Sequence, residues 1–239
     1  VDTKLQGYGP DILAEVRQVT NKPVTTIINT HTHFDHSGSN AEFGNDIHSV
    51  AHENLRSAMA RASCQPVTNC DAFKGENRKY LPTTTFSERM TLFSGPDQID
   101  LYYFGRGHTD GDTFVVFREA RTMHTGDMFP GKSLPFIDAE NGNGGSATEF
   151  GRTLTKAIAG VSGVDTLISG HWDTPLPWSA LVEYASFYND LVSQARQSWS
   201  AGGTVEESAD SYSVPEQYAE FSAVPQAVTR IVQLLSEGR

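Results

Sequence analysis

Four side chains able to bind a metal ion, His31, His33, Asp35 and His36, fall within six positions of the run Thr30-His31-Thr32-His33-Phe34-Asp35-His36. Residues 24–29 before them are rich in β-branched types and predict a strand. Strand residues two apart share a face, so an extended continuation points His31 and His33 at one ion. Ser37-Gly38-Ser39-Asn40 predicts a turn and a helix start, leaving Asp35 and His36 splayed toward a second ion beside the first. Imidazole nitrogen and carboxylate oxygen, at about 2.0–2.2 Å, are the ligands that borderline ions such as zinc accept. A lone histidine is ordinarily a surface residue; three with an aspartate at this density are a ligand array.

Three later sites repeat one arrangement, in which a strand ends and a ligand candidate follows at once. Leu101-Tyr102-Tyr103-Phe104 precedes Gly105-Arg106-Gly107-His108, Thr122-Met123-His124 precedes Thr125-Gly126-Asp127, and Leu167-Ile168-Ser169 precedes Gly170-His171. Loops beyond the carboxyl ends of strands are where α/β sheets gather ligands. A glycine directly before each candidate lets the backbone bend closely around a shared point.

The elements that must position these residues follow from periodicity. Helical spacing covers residues 11–20, 41–45, 53–62, 147–159, 178–199 and part of 215–235. Strand patterns cover 24–29, 47–51, 91–93, 99–104, 113–117, 122–125 and 164–169. Residues 63–85 read as a long polar irregular segment, the kind that usually forms a functional rim. Leu181, Tyr184, Tyr188, Leu191 and Ala195 make an apolar helical stripe of the kind that packs into a core. Strands interleaved with helices, without repeats or a linker, indicate one layered α/β domain.

Composition narrows the partners. The chain has 239 residues, 38% hydrophobic, and no apolar run approaching a membrane span. Lys and Arg number 18 against 29 Asp and Glu, a net charge of −11, which disfavours a nucleic-acid partner. Cys64 and Cys70 read either as a small disulfide loop of an oxidising, extracytoplasmic compartment or as unpaired thiols; neither lies near the histidines. Val1-Asp2-Thr3 reads like the end of a strand entered midway, so a preceding segment is expected, and with it any targeting signal.

The HTHFDH run with the later GHT, TGD and SGH, in order, resembles the metallo-β-lactamase superfamily. The resemblance implies an αββα sandwich with the site at one edge between the sheets, apparently lacking its amino-terminal strands. It further implies a metal-site core over residues 1–175 and a helical extension over 176–239. Carried over residue by residue, the family pattern places one metal on His31, His33 and His108 and a second on Asp35, His36 and His171, with Asp127 bridging both. Two such ions share a water and deprotonate it near neutral pH, with Asp35 orienting it as the catalytic carboxylate. The implied activity is a binuclear metal-dependent hydrolase, zinc by default with iron or manganese as alternatives, that uses a metal-bridging hydroxide on an ester, thioester, lactone or amide. True β-lactamases typically carry cysteine or serine where Asp127 stands, which makes β-lactam hydrolysis the minor reading. Phosphodiesterase, a diiron redox protein and an inactive metal-binding fragment are the remaining alternatives. His48, His52 and His124 are left for structural or surface roles, with His124 close enough in sequence to Gly126 to support the site. Asp112 and Thr109 are candidates to orient ligand imidazoles, and Trp172, Trp178, Phe129 and Phe136 candidates for an apolar pocket wall.

Overall fold

Side-chain alternation along the strands decides which sheet face meets which layer. The structure, a computed structural model, describes residues 1–218 and 224–239. A parallel sheet is built from β1 (Thr26–Ile28), β2 (His48–His52) and β3 (Thr84–Phe86), in that order. A second sheet holds β4 (Arg89–Leu92), β5 (Ile99–Tyr102), β6 (Phe114–Phe117), β7 (Thr122–His124), β8 (Thr166–Ile168) and β9 (Leu176–Pro177) in sequential order, antiparallel except between β7 and β8. The helices are α1 (Gly9–Val19), α2 (Phe34–Ser37), α3 (Glu53–Met59), α4 (Ala147–Gly160), α5 (Trp178–Ser200), α6 (Val205–Asp210) and α7 (Val224–Ser236).

Val50 of β2 joins Ile28, Phe86, Leu101 and Val115 in a core between the two sheets. Its neighbour Ala51 points the other way, against Leu55 and Met59 of α3. On the second sheet, Leu101 and Val115 face inward, whereas Tyr102, Phe114 and Val116 face outward into the largest core. There Phe150 and Leu154 of α4, Tyr184, Tyr188 and Leu191 of α5, and Ile231 and Leu234 of α7 pack together. The order helix, sheet, sheet, helix is the αββα sandwich that the resemblance implies. Among the described residues no helix is long and apolar enough to cross a membrane.

Two local expectations are corrected. The helix read over 41–45 is a short 3-10 turn, Asn40–Phe43, and a separate turn of helix, α2, carries Asp35 and His36. The Ser37 hydroxyl donates to the His33 carbonyl (3.0 Å) and fastens that turn. The segment 63–85 contains the 3-10 turns Pro66–Thr68, Cys70–Phe73 and Gly75–Tyr80 before the chain enters β3 at Thr84. Turns of three to six residues leave no long hydrophobic period, which is why the sequence reads there as irregular. The helix expected within 215–235 is α7; the part of that expectation falling on residues 219–223 lies outside the described residues.

Cys64 and Cys70 are bridged, six positions apart. Thr32 Oγ1 donates to the Thr68 carbonyl (3.0 Å) and Asn69 Nδ2 to Ser37 Oγ (3.1 Å), so the bridged loop buttresses the histidine run. Closing so short a loop removes ~2 kcal/mol of chain entropy from the unfolded state. Cys64→Ser with Cys70→Ser is therefore expected to lower unfolding free energy by about that much, read by urea denaturation, and an unchanged midpoint would contradict the estimate.

Candidate metal centre

β1 stops at Ile28, so His31 and His33 do not ride an extended strand as expected. They lie in a bend beyond it, where the Thr30 amide donates to Asp2 Oδ1 (2.8 Å) and the Thr30 carbonyl accepts from the Thr113 amide (2.9 Å). The bend still brings the two rings within 4.7 Å, nearly perpendicular. His108 arrives on the loop between β5 and β6, Asp127 on the turn after β7, and His171 just after β8. All seven predicted ligands converge, His31, His33, His108 and Asp127 in one group and Asp35, His36 and His171 in the other.

The outward nitrogens fix how each imidazole is used. His31 Nδ1–H donates to Thr30 Oγ1 (3.0 Å), whose hydroxyl donates to Asp2 Oδ2 (2.8 Å). His36 Nδ1–H donates to Asp2 Oδ2 (2.8 Å), His33 Nε2–H to Asp138 Oδ2 (2.7 Å) and His108 Nδ1–H to the Phe136 carbonyl (2.8 Å). Each of these rings therefore turns a lone pair toward the common centre, the arrangement of metal-ligating histidine. Bare lone pairs so placed repel: His33 Nδ1 stands 3.0 Å from His108 Nε2, and His36 Nε2 3.4 Å from His171 Nε2. His31 Nε2 and Asp127 Oδ1 are buried without a hydrogen-bond partner.

A tetrahedral ion with ligands at ~2.0–2.1 Å separates its donor atoms by about 3.3 Å. Asp127 Oδ2 lies 3.7 Å from His31 Nε2, 3.5 Å from His108 Nε2 and 3.0 Å from His171 Nε2, and its Oδ1 lies 3.3 Å from His36 Nε2. Asp35 Oδ2 is 3.6 Å from His36 Nε2 and 3.4 Å from His171 Nε2. The donor set fits a metal ion in chemistry and in spacing. Burial opposes the charge on Asp127, but the His171 hydrogen bond and the charges of His108 and His36 hold its carboxyl well below the usual range.

The first group is buried, whereas Asp35 is partly exposed and His171 exposed. That open side faces a pocket of about 280 Å³, lined by Phe34, Val67, Leu134 and Phe136 beside the ligands. Of the four aromatic residues expected on the pocket wall, only Phe136 lines it. Phe129 is buried with its ring 5.2 Å from Tyr184, and Trp178 packs on the main core. Trp172 lies so close over Gly131 that an added Cβ there would come within 2.8 Å of it.

Asp112 does not orient an imidazole. It accepts from the Thr109 amide (2.8 Å) and hydroxyl (2.6 Å), bracing the loop that carries His108. His124 Nδ1 accepts from the Gly126 amide (3.1 Å), beside Asp127, while His48 bonds Thr84 and His52 caps α3. Sequence reasoning missed Asp2, which accepts from His36 and Thr30, and Asp138, which accepts from His33. Asp138 also accepts from Asn143 Nδ2 (2.6 Å) and Asn141 Nδ2 (2.7 Å); burial opposes its charge, but the His33 hydrogen bond first, then those of Asn143 and Asn141, outweigh it and hold its pKa at about 2. Its only signal is an aspartate just before the Asn-Gly-Asn-Gly-Gly run.

The family model of the metallo-beta-lactamase superfamily matches residues 7–171, and the chain belongs to that superfamily, whose members are mostly metal-dependent hydrolases. Over 120 residues it is 35% identical to the 2,4-dinitroanisole O-demethylase subunit alpha of Nocardioides sp. (strain JS1661), a match covering 48% of this chain and 33% of that protein. The chain thus aligns with about a third of the length of that curated relative. A metallo-beta-lactamase from Pontibacter korlensis superposes with a TM-score of 0.61 at 18% identity, over 80% of this chain and 81% of that one. The DIM-1 metallo-beta-lactamase does so with a TM-score of 0.58 at 19% identity, over 79% and 80%. At those identities the two structures show the fold.

Proposed function

We propose that the chain is a binuclear metal-dependent hydrolase of small molecules, acting on an ester, thioester, lactone or amide. His31, His33 and His108 would hold one ion and Asp35, His36 and His171 a second, with Asp127 shared. Zinc is the default, and the thiolate-free set also suits iron or manganese. The observation that carries this reading is the array of inward donor atoms, neighbouring pairs of which lie 3.0–3.7 Å apart, with the outward nitrogens of His31, His33, His36 and His108 tied to acceptors. When bound, the ions supply a water activated near neutral pH and polarise the group under attack.

The chain's own residues do the rest. Asp35 Oδ2, at the pocket wall between His36 and His171, accepts the attacking water's proton and aims its lone pair. Phe34, Val67, Leu134 and Phe136 offer the apolar surface of the pocket to the substrate. His171, half-exposed at the mouth, faces the departing group. The bridged Cys64 and Cys70 support an oxidising, extracytoplasmic compartment.

A second reading is favoured by the relative named as an O-demethylase. On a nitro-activated aryl methyl ether, the same water would attack the ring carbon bearing the methoxy group. The bond from that carbon to the methoxy oxygen then breaks, methoxide leaves with a proton as methanol, and the oxygen delivered by water remains on the ring as phenolate. The test is metal analysis with a panel of thioester, lactone, aryl ester, β-lactam, phosphodiester and 2,4-dinitroanisole substrates. Chelator-sensitive turnover of an acyl substrate is expected; turnover of 2,4-dinitroanisole alone would select the second reading, and turnover of phosphodiesters alone would overturn both.

Two predictions arise from the ligand environment. Asp138→Asn keeps the shape but removes the charge that polarises His33, so metal affinity should fall ~10–100-fold in a chelator competition. Unchanged affinity would remove Asp138 from the support of the centre. The second concerns pH. Burial lowers the proton affinity of His36, but Asp2, Asp127 and Asp35 outweigh it and raise its pKa to about 9, and the Asp127 hydrogen bond raises His171. Burial and neighbouring histidines push His31 well below its ordinary value and His108 down to about 4. A raised imidazole takes its proton at higher pH, so on acidification protons displace the ion at Asp35, His36 and His171 first. Dialysed stepwise from about pH 9 to about pH 4, the protein should pass through one equivalent of metal before none. Simultaneous loss of both equivalents would contradict this order.

A further inference from the structure

A second cavity lies against the metal pocket, and no step above uses it. Its volume is about 250 Å³, and its apolar lining comes from Leu134, Phe136 and Ile137 on one side and Ala227, Ile231 and Leu234 of α7 on the other. Leu134 and Phe136 also line the metal pocket, so these two side chains alone form the shared wall. The Phe136 ring, 57% exposed, stands 5.8 Å from the His108 ring and 6.1 Å from that of His33. Its carbonyl is tied to His108, which fixes the wall at the reacting centre.

Charge at the rim is already matched. Arg230 pairs with Glu140, which also lies 3.7 Å from Arg239, and Asp138 is taken up by His33, Asn141 and Asn143. The Arg239 guanidinium donates to the Ala139 carbonyl and the Arg239 carbonyl accepts from the Thr148 amide, holding the end of α7 against the 134–141 loop. The cavity is therefore preformed, apolar and electrically balanced.

We propose that it receives the uncharged apolar acyl or aryl group of the substrate while the scissile bond lies at the metal ligands. This rests on the hydrolase reading and adds the substrate class. At about 250 Å³ the cavity exceeds the roughly 150 Å³ of an apolar cavity that accepts a benzene ring, so it has room for a ring or a short alkyl chain. The matched ion pairs at the rim offer nothing to a terminal carboxylate, so a charged tail would lose its water without gaining a partner.

The test is calorimetric titration of the zinc-loaded protein with alkyl hydroxamates, which anchor on metal through their two oxygens, from acetohydroxamate to octanohydroxamate. Affinity should rise about threefold to fourfold per methylene. Ala227→Leu, which fills the cavity from α7 without touching the ligands, should flatten that series and leave acetohydroxamate binding as it was. An ω-carboxylate on the longer chains should cancel their gain. A flat series in the unaltered protein, an unaltered series in Ala227→Leu, or tighter binding of the carboxylates would each overturn the assignment. Failure of acetohydroxamate itself to bind would overturn the metal reading, and this proposal with it; the two failures differ in which ligand reports them.

Discussion

Asp127→Ala is expected to empty the centre and to lower kcat/KM by ~10³-fold or more, because on the proposed reading this carboxylate would help hold both ions that activate the water. Asp127 is the residue on which both groups converge: its two oxygens lie 3.0–3.7 Å from inward nitrogens of His31, His36, His108 and His171. Without it, the lone pairs of His33 and His108 at 3.0 Å, and of His36 and His171 at 3.4 Å, face one another with no anion to help hold a cation among them. The outcome is read as metal content by mass spectrometry beside turnover. His124→Ala is the matched control: it removes an acceptor of the Gly126 amide but no ligand, and should retain its metal. Two equivalents of metal and full turnover in the Asp127 variant would end its assignment as the shared ligand.

The second large effect is expected from a single added methyl group. A Cβ at Gly170 would fall 2.3 Å from Asp127 Oδ1 and 2.9 Å from His36 Cε1. The backbone has no room to retreat, since the Gly170 amide donates to the Gly126 carbonyl (3.0 Å). Gly170→Ala must therefore displace the shared carboxylate or the His36 ring, both buried. Overpacking of this kind costs ~1–3 kcal/mol of stability. The diagnostic readout is the shift in melting temperature on adding zinc, since a ligand that binds only the folded state stabilises it in proportion to its affinity. The shift should be large in the unaltered protein and nearly absent in Gly170→Ala. A variant that keeps the full zinc shift would show that the site tolerates the methyl group and that the close approach is not needed.

Why Gly170 matters was legible in advance only as a pattern, a glycine before each strand-end ligand. The seven side chains that converge were reachable as candidates from sequence because each follows a strand or a tight turn, where local spacing constrains direction. For His31 and His33, though, strand alternation is not what brings the rings together. β1 ends at Ile28, and the rings converge through a bend tied to Asp2 and Thr113, contacts that strand periodicity does not contain. Asp138 escaped notice for a related cause. It sits in an aperiodic loop and reaches a histidine 105 positions away, a relation set wholly by tertiary packing. The aromatic residues divide the same way: Phe129 and Phe136 are alike in sequence, yet one is buried and the other walls the pocket, because burial depends on what folds over them. The α/β class followed from alternating periods. The order of the four layers came from the family resemblance and is explained by the opposite faces of Val50 and Ala51 in β2 and of Leu101 and Tyr102 in β5.

The most direct test of the account is an anomalous-difference map at the zinc edge from crystals of the zinc-loaded protein. Two peaks about 3.5–4 Å apart are predicted, one among His31, His33 and His108, the other among Asp35, His36 and His171, with Asp127 touching both. A map with no peak at these residues, or with peaks ringed by other side chains, would contradict it.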